Sequence, residues 1–330
     1  MIKDEFKIVD IVDLMDADIP NIEYLIEDII MKGGLTYFVG QSGSFKTGIL
    51  MKAVLCGATK DPFLNIPIKK SFKTLWIDEE NGQVILRTKI LQTVNGHPTT
   101  YKHILKGKTY FTIIEGFEFH PAYIKLLNKI IKDNHIDLVV IDSIARTMIG
   151  SERDESDVNK ILGMIKPIME EGTAFAIIHH TRKGSEGTLD DIAGSRDFAA
   201  MADYVYMISY NHSTSTGKQF QLKCVKSRVT EGSLDINFHV EGTKDKLDIT
   251  YAGTTKQAVQ SANQTKQQRC TSTILKYIQE HPSITKYKSS ALITQFKKPF
   301  SESLVRRSIA DLSESGILSK EKGGVYSVSA

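Results

Sequence analysis

Between residues 31 and 251 the chain is punctuated by short, dense apolar runs: LTYFV (35–39), KTLWID (73–78), TYFTII (109–114), DLVVID (137–142) and AFAII (174–178). Runs of this length, rich in β-branched and aromatic residues and bounded by polar or glycine-bearing segments, fit buried strands. The stretch TGILMKAVLC (47–56) reads as an apolar helix. Three further runs, DYVYMI (203–208), QFQLKCV (219–225) and LDINFHV (234–240), lie closer together, and NHSTSTGK (211–218) reads as a hairpin loop. The pattern predicts an α/β core with a mostly parallel sheet: strands with intervening helices come first, then strands joined by short turns.

The pattern changes after that. Residues 252–268 (AGTTKQAVQSANQTKQQ) are rich in Gln, Thr and Ala, lack a large apolar face and read as a linker. Beyond it, TSTILKYIQE (271–280) places Ile274, Leu275 and Ile278 at helical spacing, and SSALITQF (289–296) suggests a second short helix. A third, SESLVRRSIADLSES (301–315), opens on a serine N-cap, sets Leu304, Val305, Ile309 and Leu312 on one face and stops at Gly316. ILSKEKGGVYSV (317–328) is a hairpin turning at Gly323 and Gly324. The predicted organisation is an N-terminal segment (1–30) packing on the core, the core (31–251), a linker (252–268) and a C-terminal domain (269–330) whose three helices and hairpin resemble a winged helix.

Composition frames this without deciding it. With 330 residues, 41% hydrophobic and 25% charged, the chain is long enough for one large domain and a small one. MIKDEFKIVDIVDL lacks the basic and apolar regions of a secretory signal, and no apolar stretch approaches the roughly 18 residues of a membrane span, so a cytoplasmic protein is expected. Cys56, Cys224 and Cys270 are far apart and odd in number, which argues against a disulfide framework or a zinc ribbon. From Gln264 to Ala330 eleven Lys and Arg face five Asp and Glu, a balance of +6 that leaves −3 for the rest of the +3 total. The basicity sits in the tail, where Arg306 and Arg307 on the third helix suit a major groove and Lys320 and Lys322 on the hairpin suit backbone phosphates; binding of a protein is the alternative use.

GQSGSFKTG (40–48) is one residue away from the phosphate-binding pattern G-x-x-x-x-G-K-S/T, with Phe45 where the second glycine belongs. It stands between a predicted strand and a predicted helix, as such a loop must. Backbone N–H groups of Gly40, Gln41, Ser42, Gly43, Ser44, Phe45, Lys46, Thr47 and Gly48 would wrap phosphates at a helix N-terminus. Lys46 adds charge, and Thr47 a hydroxyl for Mg²⁺. Phe45 is expected to take a helical conformation with its ring pointing away from the phosphates.

Asp142 closes a hydrophobic strand, the form of a carboxylate that holds the Mg²⁺ water shell. Glu79, Glu80 and Asn81 follow another strand, where a carboxylate can activate water. His179 and His180 end a third; neighbours on a strand point to opposite faces, so one is expected toward the nucleotide and the other into packing.

In order, the loop, IDEEN, LVVIDSI, IIHHTRK, GSRDFAAMAD and KSR resemble the RecA-like ATPases over about residues 15–250, and among them the RepA-type and DnaB-type hexameric replicative helicases of plasmids and phages. The resemblance implies ATP and Mg²⁺ as cofactors, Glu80 as the catalytic glutamate, and Lys226 and Arg228 as a pair reaching the γ-phosphate of a neighbouring subunit, with Arg196 a second candidate. It further implies a hexameric ring around single-stranded DNA, gripped by loops at 150–157 and 182–195 through Arg182 and Lys183, although both loops also carry acidic residues. The winged helix would then recruit duplex DNA or a replication protein. Two departures stand out: Phe45 itself, and the lack of a counterpart to the DnaB-type N-terminal domain, which puts primase coupling in doubt. A non-translocating ATPase switch and a winged-helix replication initiator or regulator remain alternative readings.

Overall fold

The structure is a computed structural model describing residues 9–18, 21–97, 102–112, 116–152, 154–182, 188–192, 197–229, 234–255, 266–282, 284–321 and 323–328. The chain divides into two compact units, Met1–Gly253 and Thr254–Ala330.

The first unit contains, in chain order, α1 (Ile11–Asp16), β1 (Tyr24–Ile26), β2 (Ile30–Met31), β3 (Leu35–Gly40), α2 (Lys46–Thr59), β4 (Thr74–Asp78), α3 (Gln83–Asn95), α4 (Lys102–Leu105), β5 (Thr109–Phe111) and α5 (Pro121–Asn134). It continues with β6 (Leu138–Asp142), α6 (Ile144–Thr147), α7 (Glu155–Glu170), β7 (Ala174–His180), α8 (Asp197–Met201), β8 (Tyr204–Ser213), β9 (Lys218–Ser227), β10 (Asp235–Gly242) and β11 (Leu247–Thr254). Among the described residues these strands form a nine-stranded sheet in the order β11-β10-β9-β8-β3-β7-β6-β4-β5, with β1 and β2 as a separate hairpin. Strands β8, β3, β7, β6, β4 and β5 are parallel, and β9 turns the sheet antiparallel by pairing with β8 and β10.

This is a mostly parallel α/β sheet, covered on both faces as parallel strands require. One apolar layer joins α2 to Phe38, Trp76, Val140 and Ile178; the other joins α5 and α7 to Tyr37, Val139 and Ile177. Strand alternation sends successive residues to the two layers. Helix α2 is buried almost all round, so its sequence shows no polar stripe. Helix α7 is started by Asp154, whose carboxylate accepts from Ser156 N and Asp157 N.

Register decides what meets at the carboxyl end of the sheet. Gly40 pairs with His180, and Asp78 with Asp142, so the ends of β3, β7, β4 and β6 form one row. That edge is where open α/β sheets bind ligands.

The N-terminal segment behaves in two ways. Ile26, Ile29 and Ile30 are fully buried, whereas α1 buries nothing, with Ile11 71% and Met15 78% exposed. Among the described residues, those that pack begin at the β1–β2 hairpin. Strand β11 carries the unit through Gly253, past the expected start of the linker at 252. Its turn is strapped to α3: Gln92 Nε2 donates to Lys244 O and Asn95 Nδ2 to Asp245 O, at 2.9 and 2.8 Å.

The second unit holds α9 (Lys266–Glu280), β12 (Lys286–Lys288), α10 (Ser289–Phe296), α11 (Glu302–Glu314), β13 (Leu318–Glu321) and β14 (Val325–Val328). Ile274, Ile278, Leu292, Phe296, Val305, Ile309 and Leu312 form its core, and β12 and β13 flank β14. Ser301 occupies the cap position of α11, but its hydroxyl meets Ser303 Oγ at 3.2 Å instead of capping a backbone N–H. No described helix is long and apolar enough to cross a membrane.

Gly96 ends α3 so close to β11 that a Cβ there would lie 1.7 Å from Leu247 O. Backbone cannot swing aside as a side chain can, so Gly96→Ala is expected to destabilise the first unit by about 2–3 kcal/mol. Urea unfolding followed by Trp76, the single tryptophan and buried in that unit, measures it.

Candidate nucleotide-binding site

Between Gly40 and Lys46 the chain makes a tight loop. Gly43 has φ +81° and Phe45 has φ +75° with ψ +23°. Phe45 is therefore left-handed, not in the right-handed helical region expected from the sequence; it holds the backbone shape that the missing glycine would adopt freely. Its ring lies 5.5 Å from that of Phe220 on β9 and covers Gly48, where a Cβ would come within 2.4 Å of it. Lys46, 6% exposed, folds back over the loop, its Nζ donating to Gly40 O and Gln41 O at 2.8 and 2.9 Å. Burial lowers the Lys46 pKa to about 8, against the opposing pull of Glu80 and Asp142.

Thr47 Oγ1 donates to Asp142 Oδ2 at 2.8 Å. Asp142 is fully buried, and burial pushes its pKa up to about 7; the Thr47 hydrogen bond opposes this, while Asp78 and Glu80 reinforce it. Its second oxygen, Oδ1, is buried without a hydrogen-bond partner. A hydroxyl and an unsatisfied carboxylate oxygen side by side suit Mg²⁺, which takes one or two protein oxygens and fills its shell with water and phosphate. No group of three or more His, Cys, Asp or Glu able to hold a metal ion occurs among the described residues.

The adjacent carboxylates after β4 separate cleanly. Glu79 points away and accepts from Gly116 N and Phe117 N at 3.0 and 2.9 Å. Glu80 faces the loop: its carboxylate lies 3.8 Å from His180 Nε2, and His180 holds its pKa down to about 2 despite burial, with smaller help from Ser143 and Lys46. Asp78 braces this turn by accepting from Glu80 N and Asn81 N at 3.1 and 2.7 Å and from Asn81 Nδ2. Asn81 Oδ1 in turn accepts from Lys89 Nζ at 2.7 Å. The sequence does not single out Asp78, Asn81 and Lys89 as site residues; IDEEN contains the first two, but nothing linear links Lys89 to them.

Lys46, Thr47, Glu80, Lys89, Asp142 and His180 line one cleft of ≈ 320 Å³. His179 faces the opposite layer, fully buried with its ring 4.7 Å from Phe198, and its Nδ1 accepts from His180 N. Of the remaining loop residues, Ser42, Gly43, Phe45 and Gly48 line this cleft, and Gly40, Gln41 and Ser44 line a neighbouring one beside β8 and β9.

Lys226 and Arg228 line neither cleft. Lys226 Nζ donates to Ala199 O and Ala200 O at 2.5 and 2.7 Å, and Arg228 Nη2 to Ala200 O at 2.7 Å, with Asp203 3.6 Å from the guanidinium. Both cations thus sit on the carbonyl end of α8. Arg182 is exposed just past β7, its N–H donating to Asp191 O. In the second unit Arg306 pairs with Glu302 at 2.6 Å, while Arg307 and Lys320 are exposed. Lys183, Arg196 and Lys322 lie outside the described residues.

A strand, a phosphate-type loop, a helix-borne Lys-Thr pair and a buried carboxylate two strands away define a P-loop ATPase. The family model described as AAA domain matches residues 2–186, and the chain belongs to that family. A stretch of 146 residues, 44% of the chain, is 31% identical to the DNA repair and recombination protein RadB of Methanosphaera stadtmanae and spans 56% of that relative's length. Among solved structures, that of the RadB recombinase overlaps with a TM-score of 0.47 at 15% identity, covering 66% of this chain and 90% of that one.

Two substitutions test the site's physics. Phe45→Ala loses the ring contacts and keeps the left-handed strain, whereas Phe45→Gly loses the contacts and relieves the strain; the glycine variant is expected to be the more stable by about 1 kcal/mol in Trp76-monitored urea unfolding. Asp142 costs stability when ionised, because its folded pKa stands above the ordinary 3.8; that cost is absent below 3.8, grows up to about 7 and is complete above it. Asp142→Asn is therefore expected to stabilise the ligand-free protein by about 2 kcal/mol at alkaline pH, a gain that shrinks as the pH falls through 7. A gain that does not change with pH would contradict this account.

Proposed function

We propose that the chain is an ATP-hydrolysing, ring-forming motor on single-stranded DNA, a replicative helicase of a plasmid, phage or mobile element. The observation that carries the ATP chemistry is the convergence of Lys46, Thr47, Glu80 and Asp142 on one cleft, fixed by the register of four strand ends. The DNA reading rests on the motif order, on the DNA repair and recombination role for which the RadB relative is named, and on the basic second unit.

The triphosphate lies over the loop, with Lys46 exchanging the carbonyls of Gly40 and Gln41 for phosphate oxygens. Thr47 and Asp142 would hold Mg²⁺, which would supply neutralisation of phosphate charge. Glu80, kept ionised by His180, orients and polarises the attacking water, while His180 senses the γ-phosphate from the end of β7. Arg228, with Lys226, stabilises charge developing on the γ-phosphate of the neighbouring subunit. Arg182 and Lys183 grip the strand in the channel. The second unit acts as a winged helix, with α11 presenting Arg306 and Arg307 to duplex DNA and the hairpin contributing Lys320 and Lys322.

A second reading, an ATPase switch that assembles without translocating, uses the same two cations. Lys226 and Arg228 are engaged by carbonyls of their own chain, a resting state that nucleotide-driven assembly would exchange for a neighbour's phosphates.

Steady-state ATP hydrolysis with and without single-stranded DNA separates the two. A motor gives a rate raised severalfold by DNA. Lys46→Ala is expected to abolish nucleotide binding, whereas Glu80→Gln keeps binding and loses about 10²–10⁴ in rate. Arg228→Ala is expected to lose about 10³, with activity recovered when it is mixed with a subunit carrying an intact arginine but a dead P-loop. A slow rate indifferent to DNA sinks the motor and leaves the switch.

A further inference from the structure

Helix α2 carries a second buried lysine that the nucleotide site does not use. Lys52, on α2, is only 8% exposed. Among the described residues it has no hydrogen-bond or ion-pair partner. Its side chain lines a separate cleft of ≈ 560 Å³, together with Asn65, Asn95, His97, Lys246 and Tyr251. Leu247 lines the ATP cleft, while its neighbours Lys246 and Asp248 line this one, so β11 runs between the two.

A buried ammonium without a counter-charge is costly, and folds retain one where something pairs with it. The carboxylates nearby are already committed. Asp248 is 2.8 Å from Lys246 Nζ. Asp61, next to the Pro62 that lines the cleft, lies 3.4 Å from His97 Nδ1 and accepts from Thr59 Oγ1 at 2.9 Å. Cys56, one turn beyond Lys52, supplies no thiolate, since burial pushes its pKa up to about 12. What remains around Lys52 are the Asn65 amide, the Tyr251 hydroxyl and the second N–H of the Asn95 amide, whose first is held by Asp245 O, and these are the donors that complete the shell of an oxyanion.

We propose that this cleft binds a compact oxyanion, a phosphate or a phosphate ester, with the Lys52 ammonium as its counter-charge. The site is distinct from the P-loop and does not depend on what the chain does with ATP.

The test is calorimetric titration of inorganic phosphate, at constant ionic strength, into the full chain carrying Lys46→Ala, which removes the P-loop lysine as a competing phosphate ligand. One saturable site per chain is expected, weakened about ten- to a hundredfold by adding Lys52→Met and kept by Lys52→Arg. Trp76 fluorescence checks the fold of each variant. Should Lys52→Met fail to fold, Asn95→Asp on the exposed rim supplies the same test by adding a repelling charge, with the same loss expected. A second titration uses a 5′-mononucleotide: tighter, Lys52-dependent binding assigns the phosphate to a nucleotide, and equal binding assigns it to the free ion. No binding to the Lys46→Ala chain, or binding that the loss of the Lys52 charge leaves unchanged, overturns the proposal.

Discussion

The contact between Phe45 and Phe220 holds the nucleotide site in shape. A phosphate loop must reverse direction within five residues and deliver its lysine to the first turn of a helix, which forces a left-handed residue just before that lysine. Glycine does this freely; a phenylalanine in the left-handed region costs about 1–2 kcal/mol. The ring offsets that cost by packing, tilted, against Phe220, which in turn stacks on Phe238 of β10 at 5.5 Å. The antiparallel strands β9 and β10 are thereby made part of the loop's support, although they lie outside its strand-loop-helix unit. A glycine loop would be independent of them.

The second constraint is electrostatic. The buried Asp142 carboxylate, with one oxygen unsatisfied, and the buried Lys46 ammonium, tied to carbonyls, are each paid for by the rest of the fold. Their pKa values are displaced toward neutrality from opposite directions, Asp142 to about 7 and Lys46 to about 8. Both groups stand ready for partners that restore full charge: a divalent cation for one, a polyphosphate for the other. Glu80 escapes this because His180 sits at its side, so of the three it alone is firmly ionised. A site arranged this way is destabilised when empty and gains most from the ligand that matches both charges.

Much of this is legible in the sequence because burial writes itself into composition. The strands β3, β4, β6 and β7 are dense apolar runs that end in their polar residues, so the amino-acid pattern alone places Gly40, Asp142 and the two histidines, and strand alternation foresees that the histidines part. What the pattern conceals depends on contacts between distant residues. Phe45 stands where the loop pattern has a glycine, but nothing linear says that its ring is held by Phe220, 175 residues further on. Composition makes Glu79 and Glu80 equivalent neighbours, and only the Gly116 and Phe117 amides show physically why Glu79 turns away. The strands β1, β2 and β12 are too short to carry a periodic signal, and β11 is partly absorbed into the expected linker because LDITYAGT ends in small polar residues. Lys52 reads as one more charge on a helix; its burial beside residues of the 62–65 loop, the end of α3 and β11 has no linear signal.

Lys226 and Arg228 join the two readings of function. On α8 they satisfy carbonyls at a helix C-terminus, where cations are favoured. Bonds from these cations to a carbonyl and to a phosphate oxygen are both charge-assisted, but a phosphate adds the Coulombic attraction of an opposite charge that a neutral carbonyl lacks. Under the proposed trans-acting role, exchange of the Ala199 and Ala200 carbonyls for a neighbouring subunit's γ-phosphate would strengthen both contacts, and hydrolysis of that phosphate would reverse it. Releasing the cations also uncaps α8, which stands at the end of the segment following β7 and His180. The same exchange would report assembly in a switch and drive strand movement in a motor; the difference is only whether DNA lies against the segment that α8 terminates.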